Sequence, residues 1–67
     1  MTTRTYAVPD ISCDHCKHAI EGEVTTVAGV TRVDVDVTAK SVVVEGTASD
    51  ADIRAAIDEA GYAATPA

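Results

Sequence analysis

Val30-Thr31-Arg32-Val33-Asp34-Val35-Asp36-Val37 alternates in a way only a half-buried strand does. Val33, Val35 and Val37 point one way, and Arg32, Asp34 and Asp36 the other. Such a period of two buries one face and leaves the second in water. Thr38-Ala39-Lys40 makes a short connection to residues 41–45, where Val42 and Val44 share a face. The two runs read as a hairpin, closed by Gly46.

Upstream the period changes. Cys16, Ile20, Val24 and Val27 recur at helical spacing, with Lys17, His18, Glu21 and Glu23 mostly off that face. Gly22 and the β-branched Val24, Thr25 and Thr26 lower helix propensity, so this helix depends on packing. Gly29 is its expected stop. Residues 3–8 read as a first strand, with Tyr6 and Val8 on one face and Thr5 on the other, ended by Pro9. Downstream, Ser49 is a candidate N-cap, and Asp50 and Asp52 suit the positive end of a helix dipole. Ile53, Ala56, Ile57 and Ala60 form the apolar stripe of this second helix, with Gly61 as its stop. Residues 62–65 read as a short last strand. The order strand-helix-strand-strand-helix-strand implies an α+β domain, ferredoxin-like βαββαβ. A four-stranded antiparallel sheet carries both helices on one face.

The 67 residues leave room for one domain, spanning 1–67. Only two aromatics, Tyr6 and Tyr62, are present, so the core is built of small aliphatic side chains. Eleven acidic and five basic residues give a formal charge of −6. That argues against nucleic-acid binding, which needs clustered Lys and Arg, and against an anionic membrane surface. No segment has the length of a membrane span or the apolar run of a signal peptide. A cytoplasmic location without membrane insertion is the expectation, and an acidic chain is steered towards a complementary basic partner.

Both cysteines of the chain lie in Ile11-Ser12-Cys13-Asp14-His15-Cys16. At this spacing, on a loop entering a helix, two sulfurs can converge on one small ion. The unsatisfied N–H groups and positive dipole of a helix start favour thiolates, and Lys17 adds a positive charge that Asp14 opposes. Structural zinc wants four ligands. This chain offers Cys13 and Cys16, with His15 or Asp10 as auxiliaries, and His18 reads as a plain surface residue. Soft thiolates select Cu(I), which accepts few ligands. An ion held this way is open to a third thiolate from another protein, which suits transfer.

These features resemble the heavy-metal-associated domain family, and within it the small bacterial copper chaperones. The resemblance runs over essentially the whole chain. It rests on a hydrophobic residue, a small residue and Cys-x-x-Cys at 11–16, on His15 before the second cysteine, and on the Gly61-Tyr62 pair after the second helix. It implies a carrier rather than an enzyme. Cys13 and Cys16 would bind Cu(I) and pass it by ligand exchange to the N-terminal domains of a copper-transporting P-type ATPase. It also implies copper-bridged homodimers, and a Tyr62 beside the metal. Family members usually carry Gly-Met where this chain has Asp10-Ile11. Ile11 replaces the methionine as a packing anchor, whereas the Asp10 carboxylate favours a divalent ion.

Other readings stand beside this one: a Zn(II), Cd(II) or Hg(II) module using Asp10 or His15, a metal-binding domain of a longer transporter, or a dithiol redox protein. Tyr62 is otherwise a core-edge aromatic and His15 a solvated spacer. Lys17 either pairs with Glu21 at i, i+4 or offsets the charge of a bis-thiolate copper unit.

Overall fold

The computed structural model describes residues 2–66; Met1 and Ala67, the ends of the expected single domain, lie outside the described residues. Four strands and two helices follow in the expected order: β1 (Thr2–Ala7), α1 (Asp14–Val24), β2 (Val30–Asp36), β3 (Ser41–Gly46), α2 (Asp50–Glu59) and β4 (Thr65–Pro66). The sheet is antiparallel throughout, in the order β2-β3-β1-β4. This is the ferredoxin-like α+β arrangement.

The alternation of β2 and β3 decides where the core lies. Val35, Val42 and Val44 are buried on one face, together with Tyr6 of β1. The apolar stripes of the helices, Cys16, Ile20 and Val24 on α1 and Ile53, Ala56 and Ile57 on α2, join the same cluster. Both helices therefore cover one face. Asp34 and Asp36 stay exposed on the other.

Three local expectations are corrected. The first helix stops at Val24, five residues before Gly29. The Thr25 hydroxyl donates to the carbonyls of Glu21 and Gly22, and that of Thr26 to Glu23, so side chains reach the Gly22 and Glu23 acceptors that a further turn would have used. Gly29, at φ +94, serves a tight approach instead: a Cβ there would lie 2.8 Å from Thr47 Oγ1. Gly46 does not merely follow the hairpin, but is the last paired residue of β3, opposite both Thr2 and Val30. Finally, the last strand is only Thr65–Pro66, and Tyr62 lies in the connection just after α2. Gly61 at φ +94 lets its own N–H reach the Asp58 carbonyl (2.9 Å) and the Tyr62 N–H reach that of Ile57 (3.2 Å). This paired closure of a helix C-terminus is a Schellman motif.

The Ser49 cap forms as expected, accepting from the Asp52 N–H at 3.2 Å. One tie was not legible from local pattern. The Tyr6 hydroxyl, buried under α2, donates to Asp50 Oδ1 at 2.7 Å. Burial and this bond push the Tyr6 phenol up to about 12, and the same bond, helped by Arg54, lowers the Asp50 carboxyl.

Candidate metal centre

The site begins where β1 ends. Ile11 N–H donates to the Val8 carbonyl at 3.2 Å, closing a four-residue turn with Pro9 in the second position, where its fixed φ suits the geometry. Asp10 sits exposed at the turn, while Val8 and Ile11 on either side are wholly buried. The apolar residue before the cysteines is thus the anchor that pulls the loop against the core. Ser12 and Cys13 follow, and Cys13 is the N-cap of α1, extended at φ −159 and ψ 176. Its carbonyl accepts from Cys16 N–H at 3.1 Å and Lys17 N–H at 3.3 Å.

This geometry brings the sulfurs together. Cys13 Sγ and Cys16 Sγ are 3.8 Å apart, both free thiols, Cys13 exposed and Cys16 only 8% exposed. Ser12 Oγ lies 3.9 Å from Cys16 Sγ. The Cys16 thiol is lowered from 9.0 to about 6. The hydroxyl of Tyr62 is the largest cause, followed by the Ser12 backbone; burial of the sulfur opposes them and is outweighed. The reciprocal effect raises the Tyr62 phenol, chiefly through Cys16 and to a lesser degree through the charge of Asp10. The pair can therefore present a thiolate at neutral pH, with one sulfur rooted in the core and one facing outward.

The remaining expected residues separate. Tyr62 is half-buried and acts on Cys16, placed there by the helix closure that Gly61 permits. His15 is exposed in the first turn of α1. Among the described residues, no group of three or more His, Cys, Asp or Glu side chains is arranged to hold a metal. His18 is 78% exposed and lies 3.9 Å from Glu21. Glu21 thus has His18 as its neighbour at i, i+3, and the alternative pairing with Lys17 at i, i+4 is not formed among the described residues. Two contributors escaped sequence reasoning. In the sequence Ser12 is only a small residue before the cysteines, yet it hydrogen-bonds the buried thiol. Lys40, read as part of a turn, reaches the Ile11 carbonyl with its ammonium at 2.6 Å. Nothing in a pattern of periods relates residues 29 positions apart.

Comparison with known proteins places the chain in a family. The model of the heavy-metal-associated domain matches residues 5–63. The copper chaperone CopZ of Staphylococcus saprophyticus is 38% identical over 65 residues, covering 92% of this chain and 96% of the relative. The solution structure of apo-CopP from Helicobacter pylori superposes with a TM-score of 0.87 at 39% identity, over 96% of this chain and all of that one. A copper binding domain from HMA7, a P-type ATPase, shares the fold at a TM-score of 0.94 and 23% identity, over 100% of this chain and 95% of that one. No helix among the described residues is long and apolar enough to cross a membrane.

Proposed function

This chain belongs to the heavy-metal-associated domain family, a non-enzymatic family of metal carriers, and from that premise we propose that it is a cytoplasmic Cu(I) metallochaperone. Cys13 and Cys16 hold the ion. Its destination is the metal-binding domain of a copper-transporting P-type ATPase.

One observation carries the reading: the 3.8 Å separation of an exposed and a buried sulfur at a helix N-terminus. Two sulfurs so spaced can both reach one ion, and with Cys13 exposed that ion stays open on its outer side to an incoming thiol. A partner thiol, losing its proton, forms a third copper–sulfur bond there. The bond to exposed Cys13 then breaks, its thiolate taking up a proton, and a second partner thiolate displaces Cys16 in the same way. Copper stays Cu(I) throughout. The shared fold of a copper binding domain in a P-type ATPase supports such loop-to-loop docking. Without that partner, a second copy of the chain offers the same thiolates, which gives a copper-bridged dimer.

The divalent reading is less well supported. It needs Asp10 or His15 to complete a closed shell, and among the described residues no such cluster is arranged. The test is an anaerobic titration of the reduced protein with Cu(I) and with Zn(II) against chelators of known strength. Copper is expected to stay bound at one ion per chain while zinc is lost, and Cys13→Ser or Cys16→Ser is expected to release copper to the chelator. Zinc retained as firmly as copper would overturn the assignment.

A further inference from the structure

The turn joining β2 to β3 touches the metal loop twice through a single residue. The Lys40 backbone carbonyl accepts from the Val8 N–H at 2.8 Å, and its Nζ donates to the Ile11 carbonyl at 2.6 Å. Val8 opens the loop and Ile11 lies two residues before Cys13, so one residue grips both its entrance and its middle. The turn is itself fastened, because Asp36 Oδ1 accepts from the Ala39 N–H at 3.0 Å. Lys40 sits at φ +55 and is the non-glycine residue with positive φ among the described residues. Glycine or asparagine would take that conformation at lower cost. A lysine there is explained by what its side chain does. The bond to the carbonyl is charge-assisted and partly buried, the geometry in which such bonds are strongest. The ammonium has three donors, so the bond leaves two free.

We propose that Lys40 is the positioning residue of the metal loop. Its ammonium, bonded to the Ile11 carbonyl, holds the turn that presents Cys13 to the ion. It also keeps a fixed positive charge against a loop that becomes anionic when two thiolates bind Cu(I). The inference rests on the reading of Cys13 and Cys16 as the copper ligands.

The test uses the whole chain as Lys40→Met, which keeps an unbranched stem but loses the charge, and as Lys40→Arg, which keeps a donor cation. Arg32→Met, on the far face of the sheet, controls for the change in net charge. Two quantities are read: Cu(I) affinity by chelator competition, and the carbonyl carbon resonance of Ile11 in the metal-free protein. Lys40→Met is expected to bind Cu(I) about tenfold more weakly, equivalent to about 1.4 kcal/mol, and to shift the Ile11 resonance. Lys40→Arg should recover most of both, and Arg32→Met should match wild type. Wild-type affinity in Lys40→Met, with the Ile11 resonance unmoved, would overturn the inference while leaving the copper site standing. Failure of the wild-type chain itself to retain Cu(I) would overturn the copper assignment and with it the role of Lys40 in presenting an ion; the Ile11 resonance would then report the loop contact alone.

Discussion

Tyr62 and Ser12 both hydrogen-bond the Cys16 sulfur, and together they lower its pKa. Removing the tyrosine hydroxyl isolates its share. In Tyr62→Phe the ring is kept and the donor lost, so the Cys16 pKa should rise from about 6 back towards its ordinary 9. Thiolate absorbance followed against pH measures this directly. A rise of about one unit or more, with slower alkylation at neutral pH, is the expected result. The sign for stability follows from linkage. The folded state holds this thiol below its unfolded value, so its contribution is complete above about pH 9 and drains away as pH falls towards about 6. Copper affinity should fall steeply below that point, because protons then compete with the metal for the Cys16 thiolate.

At the scale of elements, glycines mark where the chain has freedom and where it has none. Gly46 pairs with two strands at φ +145, beside an irregular register between Val30 and Arg32, and a Cβ on it would meet the Gly29 carbonyl oxygen at 2.0 Å. Gly46→Ala combines backbone strain with a clash against main chain, and a loss of roughly 3 kcal/mol is expected. Gly22 lies exposed in α1 with nothing within 4 Å of an added Cβ. Gly22→Ala should therefore stabilise by about 0.5–1 kcal/mol through backbone entropy alone. Urea unfolding midpoints of the two variants should move in opposite directions. Each helix has only 10 or 11 residues. Isolated helices below about 12–15 residues are marginal in water, so both exist because the sheet buries their stripes.

For the whole molecule, 67 residues at about 0.05–0.15 kcal/mol each imply a net stability of about 3–10 kcal/mol. Ile57 is fully buried on the inner face of α2, and Ile57→Ala should cost about 2–5 kcal/mol, a large part of that total. Copper at a hundred times its dissociation constant should return about 2.7 kcal/mol by binding the folded chain alone. Melting temperatures with and without Cu(I) test both statements, and the metal should raise variant and wild type by similar amounts, leaving the gap between them unchanged. The element order, the buried valines of β2 and β3, the Ser49 cap and the cysteine pair were all legible in residues 1–67. Each is written in a short-range period or spacing that a local stretch of chain obeys by itself. Sequence spacing did not locate the end of α1, because Thr25 and Thr26 could close it as well as Gly29. Nor could it assign Tyr62 to a helix closure rather than a strand, since both fit a lone aromatic after a glycine. What only the tertiary structure decided are the contacts between distant residues: Tyr6 with Asp50, Tyr62 with Cys16, and Lys40 with Ile11. Periodicity reports which face of an element avoids water, but which polar tips then meet depends on how the elements are packed, and packing is a property of the whole chain.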